Sequence, residues 1–110
     1  MNEMAEYRDE LVEGLLKVLK DQVIRIIIYG STVRGEATSD SDVDIAIIIN
    51  GEMDAETEDS LSDFIVDMNL KFDKVFSVID IENQLFRRLE NISPFYKNVN
   101  KEGIVLWKAA

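Results

Sequence analysis

The chain has no cysteine and no histidine among its 110 residues. Without cysteine there is no disulfide framework and no thiolate nucleophile. Without histidine there is no imidazole base, no imidazole metal ligand and no Ser-His triad. Any metal bound here would meet oxygen ligands, which suit a hard cation such as Mg²⁺ or Mn²⁺. No apolar run approaches the ~20 residues that span a bilayer. The acidic start "MNEMAEYRDE" has no signal-peptide core. A cytoplasmic protein with no membrane partner is therefore expected. Basic residues are also scarce, with 12 Lys and Arg against 22 Asp and Glu and a formal net charge of −10. Binding to nucleic acid backbone relies on basic patches and is not expected. From Gly35 to Leu70 there are eleven acidic residues and not one Lys or Arg. Most of that stretch reads as a solvated acidic face, Asp63 and Asp67 included. Repeats, low-complexity tracts and linkers are absent, and the length suits one domain over residues 1–110.

What is present divides cleanly into elements. Met4, Tyr7, Leu11, Leu15 and Val18 recur every three or four residues, which predicts an amphipathic helix over about residues 3–20. "VIRIIIY" (23–29) and "VDIAIII" (43–49) are β-branched and nearly continuous, so both read as buried strands, the second ended by Asn50-Gly51. Asp54 is an N-cap candidate for a helix whose buried stripe is Leu61, Phe64, Ile65 and Met68. "KVFSVID" (74–80) predicts a third strand, and Ile81, Leu85 and Leu89 mark a further helix. Ser93-Pro94 opens a last helix to about Lys101, Gly103 ends it, and "IVLW" is a terminal strand or an extended tail. The order α-β-turn-β-α-β-α-α predicts an α/β or α+β fold, a small mixed sheet flanked by helices. Phe95, Tyr96 and Trp107 read as packing residues, with an interface to another chain as the alternative for Phe95 and Tyr96.

Two carboxylates, one residue apart, stand where the second strand begins. At a period of two, Asp42 and Asp44 point to the same face. Like charges that close repel, and one is protonated unless a cation bridges them. A lone Asp-x-Asp would be a polar strand start facing solvent. Here Gly30, Ser31 and Arg34 stand within fifteen residues of it. Gly30 lets backbone amides approach a ligand, Ser31 adds a hydroxyl at a helical turn, and Arg34 carries a fork suited to phosphate. Together they read as a phosphate cradle facing a divalent metal site.

The stretch "GSTVRGEATSDSDVDIAI" resembles the signature of the polymerase-β-type nucleotidyltransferase superfamily. In length and layout the chain is similar to the minimal nucleotidyltransferases. That resemblance implies the nucleotidyltransferase fold and roles for particular residues. Gly30, Ser31 and Arg34 would hold the triphosphate of a nucleoside triphosphate, ATP or a related nucleotide. Asp42 and Asp44 would ligate two Mg²⁺ ions, with Mn²⁺ as an alternative. An acceptor hydroxyl would attack the α-phosphorus and pyrophosphate would leave.

The family usually adds a third carboxylate from the next strand. None of Val75, Phe76 or Ser77 is acidic, and Asp73 and Asp80 flank the strand. A helical connection predicts a parallel crossover, which puts Asp73 at the same end as Asp42. Asp80 would lie roughly 23 Å away at ~3.3 Å per residue, so Asp73 is the candidate third ligand. The resemblance also implies a helical HEPN-type protein as partner, with a tyrosine of that partner as one acceptor. A second copy of the chain is a further candidate partner. The competing reading is a non-catalytic module of the same fold that neutralises such a partner by binding.

Overall fold

The structure is a computed structural model and describes residues 4–38 and 41–110. Helix α1 (Met4–Leu19) leads through a short 3₁₀ turn into β1 (Val23–Tyr29). A four-residue helix α2 (Ser31–Arg34) follows, then β2 (Val43–Ile49), α3 (Ala55–Phe72) and β3 (Phe76–Glu82). Helices α4 (Asn83–Leu89) and α5 (Pro94–Glu102) precede β4 (Ile104–Lys108). The sheet order is β3-β2-β1-β4. β1 runs antiparallel to β2 and to β4, while β2 and β3 are parallel. The expected mixed sheet and the parallel crossover are both present. The C-terminal stretch is a paired edge strand, not a loose tail.

Strand alternation divides the sheet between two apolar layers. Ile26, Ile28, Ile45, Ile47 and Ile49 face α1 and α3, where Tyr7, Leu11, Leu15, Leu19 and Met68 cover them. Each such fully buried aliphatic side chain is worth about 1.5–3 kcal/mol over exposure. The two helices approach closely because Gly14 has no side chain and the Phe64 ring lies over it. On the other face, Ile27, Ala46, Ile48 and Ile81 meet Phe86 of α4 and Val99 of α5. Arg25 lays its guanidinium over the Phe86 ring, 5.2 Å from the centroid.

β1 and β2 occupy the predicted residues, and Asp54 caps α3 by accepting a 2.7 Å hydrogen bond from the Thr57 N–H. The third strand differs. It starts at Phe76, two residues later than the pattern predicts, because α3 ends in a left-handed cap at Asp73 (φ 51°). The N–H groups of Asp73 and Lys74 both donate to the Asn69 carbonyl, and the Asn69 side-chain oxygen accepts from the Phe76 N–H. That motif uses the residues expected to open the strand, so Asp73 closes a helix and does not begin β3. Ile81 likewise belongs to β3, level with Ile48, and Phe86 is the buried anchor of α4.

Candidate functional site

The site lies where β1 and β2 meet α2. β1 ends at Tyr29, level with Asp44 of β2, and Asp44 is level in turn with Ser77 of β3. Gly30 then turns the chain at φ 82°, ψ −153°, a conformation that disfavours any residue with a side chain. A second reason for glycine appears here: a Cβ at Gly30 would collide with the Asp44 carboxylate. The backbone must pass directly beside that acid, and only glycine permits it. The Gly30 carbonyl accepts from the Val33 and Arg34 N–H groups at 3.1 and 3.2 Å, which winds α2. Gly35, left-handed at φ 74°, ends it. Amides in a first helical turn have no partner within their own helix, so those of Ser31 and Thr32 are available to an acceptor.

Asp42 is exposed and Asp44 half-buried. Burial pushes the Asp44 carboxyl above its ordinary range, the like charge of Asp42 pushes it further, and the Arg34 guanidinium pulls it back. Three predicted residues are thus brought together electrostatically. Tyr29 joins them: its phenol is pushed up by burial first and by Asp44 second, which keeps it neutral. Arg34 donates from Nε to Glu36 at 3.3 Å and from Nη1 lies 3.5 Å from Glu102 of α5. Exposed pairs of this kind are worth at most about 1 kcal/mol, so an incoming phosphate can recruit the guanidinium cheaply.

Asp73 is exposed, on the cap of α3. Among the described residues, no three acidic side chains gather closely enough to hold an ion. The β3 position level with Asp44 is Ser77, and Asp80 is level with Ile47, farther down the sheet. Asp63 and Asp67 are exposed on α3, which covers the opposite face. A divalent cation still suits the pair that remains. Asp42 and Asp44 offer hard oxygen donors, and burial first and the like charge of Asp42 second hold the Asp44 carboxyl up, a cost that a bound cation would relieve.

Beside the carboxylates, a cleft of about 170 Å³ is lined by Tyr29, Gly30, Arg34, Phe95, Asn98, Val99 and Glu102. A roomier hollow of about 500 Å³, near Gly14, Phe64 and Lys71, lies between α1 and α3. It is on the wrong side of the sheet for Asp44. The pattern of the sequence missed Tyr29 and Glu102. Tyr29 carried a signal, its place just before Gly30. Glu102 carried none, being joined to Arg34 only by the fold.

The family model described as "Nucleotidyltransferase domain" matches residues 9–106. A Methanocaldococcus jannaschii protein named "Putative protein adenylyltransferase MJ0604" is 35% identical over 98 residues, 89% of this chain and 92% of that one. A second protein of that organism with the same description, MJ0141, is 29% identical over 77 residues, 70% of this chain and 78% of its own. A crystal structure of a toxin–antitoxin complex with AMP-PNP matches at TM-score 0.64 and 19% identity, over 93% of this chain and 73% of that chain. A complex of tri-AMPylated Shewanella oneidensis HEPN toxin with MNT antitoxin matches at TM-score 0.59 and 17% identity, over 96% and 73%. At such identities the structural matches speak for the fold.

Proposed function

The chain belongs to the nucleotidyltransferase domain family, and from that premise we propose that it transfers AMP from ATP to an acceptor hydroxyl on a partner protein, releasing pyrophosphate. The observation that carries this reading is the convergence of Asp42, Asp44 and Arg34 on the Gly30–Ser31 turn. Asp42 and Asp44 would hold Mg²⁺, with Mn²⁺ as a substitute. When bound, the metal supplies charge neutralisation at the α-phosphate and the leaving pyrophosphate. The protein supplies the rest. The Ser31 hydroxyl and the first α2 amides bind the phosphates, and Arg34 exchanges its carboxylate partners for phosphate oxygens. The acceptor oxygen forms a bond to the α-phosphorus as the bond to the β-bridging oxygen breaks, and the acceptor proton passes to solvent or a nearby carboxylate.

The relatives support the protein-acceptor form, being named for adenylyl transfer to protein. The fold neighbours seated on toxins, one of them an AMPylated HEPN toxin, support a helical HEPN-type partner bearing the acceptor. The test is label transfer from ATP labelled at the α-phosphate, with Mg²⁺ and a co-expressed HEPN-type partner. Label on the partner, absent with the Asp42→Asn/Asp44→Asn variant, is expected. An unlabelled partner that stays bound and silenced would favour the second reading, a non-catalytic antitoxin. The observation favouring that alternative is that, among the described residues, no three acidic side chains gather closely enough to hold an ion.

A further inference from the structure

The phosphate-binding reading leaves one wall of the site without a task. Phe95, Asn98, Val99 and Glu102 follow at intervals of three, one and three, so they share a stripe of α5. That stripe closes the cleft that begins at Gly30 and Arg34. The Phe95 ring is 44% exposed, yet it is not loose. Tyr29 meets it edge-on at 5.7 Å and 86°, and Tyr96 holds it at 5.6 Å and 60°. Buried Val99 adds an apolar surface, and Asn98 places an amide at the rim. An aromatic ring fixed by two others, with an amide one turn away, suits a flat heteroaromatic ligand with a hydrogen-bonding edge. A cavity of about 150 Å³ admits benzene, so this cleft, of similar size and open on one side, has room for a ring system that projects partly into solvent.

We infer that the α5 cleft receives the base of the nucleotide, that Phe95 is its stacking platform, and that Asn98 selects adenine. The inference rests on the proposed nucleotide site, whose phosphate-binding groups Gly30 and Arg34 line the same cleft. Selection follows from the amide. Asn98 offers one donor and one acceptor side by side, matching the N6 donor and N7 acceptor of adenine. Guanine presents two acceptors on that edge, O6 and N7, so one half of the amide would face a like group.

The experiment is calorimetry with Mg²⁺ and three ligands: ATP, GTP and inorganic tripolyphosphate. Wild type should bind ATP about tenfold or more tighter than tripolyphosphate, the gain expected of one stacked base. Phe95→Leu should weaken ATP about tenfold and leave tripolyphosphate unchanged, with Phe95→Tyr restoring the affinity. Asn98→Ala should bring ATP down to the level of GTP. Equal binding of ATP and tripolyphosphate by wild type overturns the base subsite while the phosphate site stands. Equal weakening of both ligands in Phe95→Leu overturns it too, since the ring would then be only structural. Binding of neither ligand by wild type removes the nucleotide site and this inference with it.

Discussion

The face of the sheet under α1 and α3 is closed, while the face under α4 and α5 opens at one end into the cleft. Both are made from the same strands. In β2, Ile45, Ile47 and Ile49 serve the closed side, packed in the apolar layer under α1 and α3. Asp44, Ala46 and Ile48 serve the other, and only Ala46 and Ile48 are buried there. A step of one residue therefore separates stability from chemistry. Gly30, with no side chain, lets the backbone pass beside the Asp44 carboxylate, while the closed side is filled with isoleucine and leucine. Asp44 bears the cost, being partly desolvated beside another acid. The closed face holds it in place.

That contrast can be broken from either side. The largest effect is expected from Asp42→Asn/Asp44→Asn, which should cut label transfer by about a thousandfold or more, the several kcal/mol that metal charge stabilisation supplies. Circular dichroism should show the fold intact. Leu15→Ala, on the closed face, should do the converse. Urea denaturation should read a loss of about 2–5 kcal/mol, with ATP affinity unchanged under native conditions. Gly30→Ala touches both regions. It forces a strained φ, costing about 1–3 kcal/mol, and displaces the Asp44 carboxylate, so stability and metal-dependent binding should fall together.

Smaller effects sharpen the comparison. The Asp44 carboxyl is raised in the folded state, so the native protein holds that proton more tightly than the unfolded chain does. Its stability contribution is then fullest in acid and is lost as pH rises through the ordinary carboxylate range to the raised value. Asp44→Asn should therefore raise Tm at neutral pH, the difference vanishing in acid, as scanning calorimetry at several pH values would show. Mg²⁺ added to wild type should narrow the same gap. The smallest effect belongs to Asp73→Asn, expected to leave Mg²⁺-dependent ATP affinity unchanged. Ser77→Asp, level with Asp44, should strengthen it.

The elements legible in the sequence were those whose causes are local. The β-branched runs of β1 and β2 end where Gly30 and Asn50-Gly51 turn the chain, so their limits could be read directly. Asp54 announced α3 through its own side chain. Within the site, Gly30, Arg34, Asp42 and Asp44 were legible because a strand, a turn and a strand hold them within fifteen residues. The start of β3 was not, because Asn69, seven residues upstream, binds the Phe76 N–H. The α5 wall was hidden for the same kind of reason. Glu102 meets Arg34, and Phe95 meets Tyr29, only through the fold that sets α5 against the sheet beside the β1–β4 pair.

The most direct test of the central claim is a calorimetric titration of Mg²⁺–ATP into wild type and into Asp42→Asn/Asp44→Asn. The account predicts one saturable site in wild type, lost in the variant and lost when EDTA removes the metal. Binding that survives in the variant, or no binding by wild type, would contradict a nucleotide site built on these two carboxylates.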